Sequence, residues 1–261
     1  MDLKNIGFDS NNTYFEHNLS LPKIPTVFIH GVGLNHSMWL YQKKYFKNES
    51  IVVYDLLNHG KSKKKYKCLT FENFNYQLEQ LLNFLNIKKI NLVGFSIGAL
   101  IAQHFTSQYY SKINKLIIIA SVHKSTNKQI LKIKKRFTLL QNDKSISDDS
   151  INRWFNSEFL KKNPSIYKYF DNMLKKNKTK YFLPAYRLFV ESDNYILDYS
   201  NFNMPTLIMT GEKDIGSTPI MSRRLNKKIK KSKLYIIPNA KHMVTFEKSD
   251  LINKRIMKFI S

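Results

Sequence analysis

The stretch Gly94-Phe95-Ser96-Ile97-Gly98 decides the fold of this chain. It follows an apolar, strand-like run from Ile90 to Val93 and leads into Ala99–Phe105, a stretch typical of a helix. A strand-to-helix turn this tight leaves no room for bulky side chains two residues before and after its centre, so both positions are glycine. We therefore expect Ser96 to occupy a strained corner of the backbone with its hydroxyl exposed.

Composition limits the class of protein. The 261 residues are 43% hydrophobic, which suffices for one large α/β domain with an insertion. The single cysteine, Cys68, excludes an internal disulfide and is typical of a reducing compartment. Met1–Ser20 is polar, so we expect no signal segment there, and no run of about 18 apolar residues occurs. We expect a cytoplasmic protein, or one in another reducing intracellular compartment, without a membrane partner.

The formal net charge is +24, from 43 Lys and Arg against 19 Asp and Glu. Lysine dominates and no nucleic-acid-binding motif accompanies it, so we interpret most of this charge as solvated surface and expect no nucleic-acid partner. Two dense basic runs are Lys61–Lys67 and Arg223–Lys233. The first follows a predicted strand, which would bring it near the edge of the site. We expect it to favour an anionic substrate or one held by an acidic carrier protein.

Short apolar runs alternate with helical stretches, which predicts an α/β fold with a mostly parallel sheet. The segment up to Leu21 is expected to add one or two antiparallel edge strands. Residues 70–86 have apolar side chains at helical spacing, with Thr70 as the N-cap. The predicted strands of the parallel part are Thr26–Ile29, Ile51–Tyr54, Ile90–Val93, Leu116–Ile119, Thr206–Met209 and Leu234–Ile237.

The regular spacing breaks once, between the strands that end at Ile119 and begin at Thr206. We predict a helical cap over residues 123–203, inserted into a core domain of residues 1–122 and 204–261. The insertion is rich in aromatic residues and would form a lid over Ser96. The candidate substrate contacts are Trp154, Phe155 and Phe189 in the insertion and Trp39 in an early loop.

A serine hydroxyl needs a base, a group that orients the base, and N–H donors for a developing oxyanion. In a parallel sheet, such groups converge from loops at the carboxyl ends of different strands. Asp214 and His242 follow the last two predicted strands, so the chain order is Ser96, Asp214, His242. We expect His242 to take the Ser96 proton and Asp214 to orient His242. Glu212 is the alternative acid.

The loop His30–Trp39 is expected to complete this arrangement. Its glycines, Gly31 and Gly33, allow backbone amides to approach a bound oxyanion. We predict that the N–H groups of Val32 and Ile97 form the oxyanion hole.

These segments together make the chain resemble the α/β-hydrolase superfamily over nearly its whole length. Within it, the chain is similar to 3-oxoadipate enol-lactonases and pimeloyl-[acyl-carrier-protein] methyl ester esterases. The resemblance implies a central sheet of about eight strands flanked by helices, with a helical cap before the late strands. The segments that carry it are HGVGLNHSMW, YDLLNHGKS, VGFSIGAL, FLPAYRLFVESD, TGEKDIGSTP and AKHMVTFEKSD.

The expected activity is that of a serine hydrolase acting on a small-molecule ester, lactone or thioester, without cofactor or metal. Two alternatives remain open: hydrolysis of a C–C bond by the same three residues, and a non-catalytic binding protein that uses the pocket. A nucleotide-binding interpretation fails, because Asp55 stands where the first glycine of a phosphate-binding loop ending at Gly60-Lys61-Ser62 would be.

Overall fold

The computed structural model describes residue 3 and residues 5–20, 22–142 and 145–261. Four residues of the predicted N-terminal edge segment (Met1, Asp2, Lys4 and Leu21) and two of the predicted cap (Asp143 and Lys144) lie outside the described residues.

An eight-stranded, mostly parallel sheet organises the chain, with the strand order β1-β2-β4-β3-β5-β6-β7-β8. The first two strands are antiparallel to their neighbours and form one edge, whereas the other six run parallel. The strands are β1 (Asn5–Phe8), β2 (Tyr14–Asn18), β3 (Thr26–Ile29), β4 (Ile51–Tyr54), β5 (Ile90–Phe95), β6 (Ile113–Ile119), β7 (Thr206–Gly211) and β8 (Ser232–Ile237).

The strand predictions are confirmed. β3 and β4 have the predicted bounds, and the other four parallel strands extend the predicted ranges by a few residues. The extra residues carry β5 and β7 up to the turns that hold Ser96 and Asp214. Of the one or two antiparallel edge strands expected before residue 22, two are present.

Alternate side chains of the parallel strands supply two hydrophobic cores, one on each face of the sheet. In β3, Val27 and Ile29 belong to one core and Phe28 to the other. This follows from the two-residue period of a strand, and it explains why the strands are continuous apolar runs rather than alternating ones.

The described residues form eleven α-helices. Thr70 caps α2 as predicted, because its side chain accepts from the N–H of Asn73. The helices are α1 (Leu40–Tyr45), α2 (Phe71–Phe84), α3 (Ile97–Tyr109), α4 (Asn127–Gln141), α5 (Ser147–Trp154), α6 (Ser157–Lys162), α7 (Pro164–Lys176), α8 (Thr179–Val190), α9 (Pro219–Lys228), α10 (Val244–Glu247) and α11 (Ser249–Ile260).

Helices α4 to α8 fall between β6 and β7 in the chain. We call residues 123–203, apart from Asp143 and Lys144, the cap segment. None of the helices in the described residues combines the length and the apolar character that crossing a membrane requires.

Candidate active site

Ser96 lies at the corner between β5 and α3, with φ of 56° and ψ of −119°. This left-handed backbone is unusual for a residue with a side chain and marks stored strain. The flanking glycines make the turn possible: a Cβ on Gly94 would lie 2.2 Å from the carbonyl oxygen of Gly98, and a Cβ on Gly98 would lie 2.4 Å from that of Ile29. The Ser96 N–H donates to Ile119 O at 2.9 Å, which fixes the corner to the neighbouring strand.

Asp214 and His242 form a buried pair at the ends of β7 and β8. Nδ1 of His242 is 2.6 Å from Oδ2 of Asp214. The other carboxylate oxygen accepts from the N–H groups of Gly216 (2.8 Å) and Ser217 (2.9 Å), so the carboxylate is held at both ends. The alternative acid, Glu212, instead accepts from the N–H of Asn239 at 2.9 Å. With one oxygen fixed by two amides and the other bonded to the ring, Asp214 holds the imidazole in a single orientation.

The loop that carries His242 is tied to the cap segment. Glu247 accepts from the N–H groups of Lys241 and Asn156, the latter through a short hydrogen bond. The Met243 N–H also donates to Trp154 O at 3.0 Å. Nζ of Lys241 is 2.9 Å from the carbonyl oxygen of Asn152, so this ammonium bonds to the cap rather than to His242.

The loop after β3 is held by two buried histidines. Nδ1 of His30 donates to Gly31 O at 2.8 Å, and Nε2 of His59 accepts from the Gly33 N–H at 3.0 Å. Burial lowers the pKa of His30 to about 4 and that of His59 to about 3, so both rings are neutral near pH 7 and each has one donor and one acceptor nitrogen. The residue between the two glycines is Val32, whose N–H donates to no other atom of the described residues.

The second predicted oxyanion donor, Ile97, is the first residue of α3. N–H groups in the first turn of a helix have no acceptor within the helix, and the positive end of the helix dipole favours negative charge there. The Ile97 side chain is fully buried, whereas Val32 lines a cavity together with Ser96 and His242.

This cavity has a volume of about 790 Å³, within the range of small-molecule sites. Its walls come from the loops that follow β3, β5, β7 and β8 and from helices of the cap segment. Trp154 and Phe189, two of the four predicted substrate contacts, line it. The Trp154 ring lies 6.5 Å from the imidazole of His242 between centroids.

The other two predicted contacts, Trp39 and Phe155, do not line this cavity. Both are fully buried. Trp39 packs against Phe28, with ring centroids 5.0 Å apart, and Phe155 packs against Phe170 at 5.1 Å. Their rings fill the core beneath the loop and the cap instead.

No residue of the basic run Lys61–Lys67 lines the cavity, although Nζ of Lys65 lies 5.3 Å from the ring centroid of Tyr181 on the cap helix α8. Nζ of Lys61 donates to the Tyr14 hydroxyl, and Nζ of Lys63 lies 4.4 Å from the ring centroid of Phe8. Lys61 and Lys63 therefore lie at the antiparallel edge of the sheet.

The basic residues that do line the cavity come from the cap segment. They are Arg136 and Arg153 together with Lys128, Lys132, Lys175, Lys178 and Lys180. The spacing of 128, 132 and 136 along α4 shows a shared helix face, but an excess of lysine throughout the chain hides this signal in the sequence. Among the described residues, no group of His, Cys, Asp and Glu is arranged to hold a metal ion.

Comparison with known proteins agrees with this fold. The family model described as "alpha/beta hydrolase fold" matches residues 25–249. This chain belongs to the α/β-hydrolase family. The solved enol-lactonase from Burkholderia xenovorans LB400 shares the fold of this α/β-hydrolase, with a TM-score of 0.82 and 18% identity over 98% of this chain and 99% of that chain.

Three curated relatives of this α/β-hydrolase are named as a hydrolase, an enol-lactonase and an esterase. The (E)-2-((N-methylformamido)methylene)succinate hydrolase of Acinetobacter baylyi is 26% identical over 98% of this chain and 97% of that protein. The 3-oxoadipate enol-lactonase 2 of the same organism is 22% identical over 88% of this chain and 86% of that protein. The pimeloyl-[acyl-carrier protein] methyl ester esterase of Wigglesworthia glossinidia brevipalpis is 27% identical over 90% of this chain and 92% of that protein. The predicted fold and the resemblance to enol-lactonases and pimeloyl esterases are confirmed, and these relatives support hydrolase activity.

Proposed function

We propose that this α/β-hydrolase cleaves a small-molecule carboxylic ester, lactone or thioester through an acyl-enzyme on Ser96. His242 is the general base and then the general acid, and Asp214 orients it. The observation that carries this proposal is that Ser96, on a strained corner, and His242, bonded to Asp214 at 2.6 Å, face one cavity.

In the first step, Nε2 of His242 takes the Ser96 proton while Oγ attacks the carbonyl carbon. The negative charge that develops on the carbonyl oxygen is stabilised by the N–H groups of Val32 and Ile97. Asp214 stabilises the imidazolium that forms, without itself taking the proton.

Collapse of the tetrahedral intermediate expels the alcohol, enol or thiol, which receives the proton from His242. Water then attacks the acyl-enzyme with His242 again as base, and the acid is released. In the second half-reaction His242 returns the proton of the water to Oγ of Ser96, so both residues are regenerated.

We further propose that residues 1–122 and 204–261 form the core domain and that residues 123–203 act as its lid. Cap helices supply one side of the cavity and Glu247 links the cap to the His242 loop, which supports this division. Trp154 and Phe189 would contact the acyl or leaving group.

Substituting each candidate acid in turn distinguishes a triad that contains Asp214 from one that contains Glu212. We expect Asp214→Asn to lower kcat on a short-chain methyl ester about 10³- to 10⁴-fold, because the imidazole loses its orienting charge and tautomer. Glu212→Gln removes a nearby carboxylate that bonds to the Asn239 N–H and should leave kcat within a few-fold of wild type. If Glu212→Gln abolished turnover while Asp214→Asn retained it, the assignment of Asp214 would be wrong.

A further inference from the structure

One guanidinium group in the cavity wall, that of Arg153, forms no ion pair within the described residues, although the charge of Asp214 acts on it. Arg153 lines the wall beside Trp154, and its buried Nε has no hydrogen-bond partner among the described residues. Arg153 forms no ion pair with a carboxylate of the described residues. Its Nη1 and Oδ1 of Asp214 nevertheless both lie close to Gly216, because a Cβ on that glycine would be 3.1 Å from the first atom and 3.5 Å from the second. Arg153 therefore approaches the loop that holds Asp214, while both oxygens of that carboxylate are bonded to other groups.

A second guanidinium faces the same part of the cavity. Arg136 forms an ion pair with Asp149, whose carboxylate is largely exposed, and its own Nε is buried without a partner in the described part of the chain. Burial, and then the charge of Arg153, lower the pKa of Arg136 to about 10. Burial likewise lowers the pKa of Arg153. A guanidinium stays protonated at neutral pH, and neither Nε is hydrogen-bonded within the described residues, although Asp149 pairs with Arg136 and the charge of Asp214 acts on Arg153.

The other residues that line the cavity add to the positive charge of the two arginines. Five lysines line the cavity, and no Asp or Glu does among the described residues. The hydroxyl-bearing ring of Tyr186 lines the cavity beside both arginines, and burial raises its pKa, so it is a neutral donor. A buried charge that lacks a partner is unfavourable, and a guanidinium fork matches a carboxylate through two parallel hydrogen bonds.

We propose that Arg153, assisted by Arg136, forms a carboxylate-binding subsite, so that the substrate carries a free carboxylate in addition to the ester or lactone that Ser96 attacks. The substrate class is thus the monoester or lactone of a dicarboxylic acid. This inference rests on the proposed function for the position of the scissile bond, but the binding of a dicarboxylate anion does not depend on it.

A structural role for Arg153 would give a different result. If Arg153 served only to support Asp214, its removal would lower kcat equally on charged and neutral esters. A carboxylate subsite instead changes the preference between them and acts largely on KM, since the bond is already made in the ground state.

The kinetic test compares monomethyl glutarate with the methyl ester of glutaric monoamide, which has almost the same shape without the charge. We expect the wild-type protein to prefer the acid in kcat/KM, and Arg153→Met to lower the acid-to-amide ratio about 10- to 100-fold, as for loss of hydrogen bonds to a charged group. Arg153→Lys should keep part of the preference. Arg187→Met is the matched control, because Arg187 is an exposed cap residue paired with Glu191 and does not line the cavity; its ratio should equal that of wild type. An unchanged ratio in Arg153→Met, or a wild-type preference for the amide, overturns the subsite.

A binding measurement keeps the inference testable if the protein turns over neither ester. Titration calorimetry with glutarate, glutaramide and inorganic phosphate should show binding of glutarate, no binding of glutaramide, and glutarate affinity at least tenfold weaker in Arg153→Met. Equal affinity of wild type for glutarate and glutaramide, binding of phosphate alone, or no binding of glutarate would overturn the proposal. Failure of Ser96→Ala to lose esterase activity would overturn the proposed function while leaving this result unaffected.

Discussion

Nε2 of His59 accepts a 3.0 Å hydrogen bond from the backbone N–H of Gly33, the residue that follows the proposed oxyanion donor Val32. The His59 ring reaches this position from the loop after β4, where its Nδ1 donates to Leu57 O at 2.8 Å. The end of one strand thus fixes the backbone at the end of its neighbour.

We expect His59→Phe to lower kcat about tenfold with a smaller change in KM, because a loosened Val32 N–H weakens stabilisation of the oxyanion more than substrate binding. His59→Gln, which can present an acceptor to Gly33, should recover part of the loss. Steady-state kinetics on one ester with both variants measure this. If the two variants lose activity equally while remaining folded, the hydrogen bond to Gly33 does not matter.

A buried cluster of charges beneath the same loop predicts a pH dependence of stability. His36 lies 2.8 Å from Oδ1 of Asp55 through Nδ1 and 2.9 Å from Oε1 of Glu16 through Nε2. Burial alone would lower the pKa of His36, but the hydrogen bonds and charges of Asp55 and Glu16 raise it to about 9. The charged form is therefore favoured in the folded protein relative to the unfolded chain.

A raised pKa contributes stability that is fully present below the unfolded value of 6.5 and is lost as the pH rises through about 9. The free energy of unfolding, measured with urea, should fall between pH 6 and pH 9.5, and His36→Gln should be less stable at pH 6 with a flatter profile. His17→Gln is the control: burial lowers the pKa of His17, so this variant should keep the decline. A His36→Gln profile parallel to that of wild type would contradict the prediction.

The close approach of β7 to the His242 loop depends on Gly211. A Cβ at this position would lie 2.1 Å from the carbonyl oxygen of Lys241 and 2.4 Å from that of Ala240. Because both atoms belong to the backbone, the loop itself must shift to accommodate a methyl group. We expect Gly211→Ala to lower the free energy of unfolding by about 2 kcal/mol and to lower kcat as well.

Gly7→Ala is the matched substitution, since the atom nearest to its Cβ would be a side-chain carbon of Phe15 at 3.4 Å. Its stability should change by no more than about 1 kcal/mol, without loss of activity. Urea denaturation and steady-state kinetics on the two variants compare them directly. Wild-type stability and kcat in Gly211→Ala would show that the contact with the His242 loop is not restrictive.

The core of the fold could be predicted from the sequence because the buried strands are compact apolar runs separated by helical stretches. Thr26–Ile29 and Ile51–Tyr54 have the predicted bounds for this reason. The meeting of Asp214 with His242 follows from strand order, since loops at the carboxyl ends of neighbouring parallel strands lie together.

Which individual residues line the cavity could not be predicted from the sequence. Trp39 and Trp154 are both aromatic residues near functional segments, and only packing distinguishes the one that fills the core from the one that lines the cavity. Arg153 is one of 43 basic residues, and what sets it apart, a buried Nε without a partner among the described residues, arises from tertiary contacts alone.

The central claim is that Ser96 is the nucleophile, and covalent labelling tests it most directly. After reaction with a fluorophosphonate, mass spectrometry of the intact protein and its peptides should show one adduct, located at Ser96, and none in Ser96→Ala. Ser107→Ala, the same substitution on α3 outside the cavity, should label at the wild-type rate. An adduct on another residue, or undiminished ester hydrolysis by Ser96→Ala, would contradict the account.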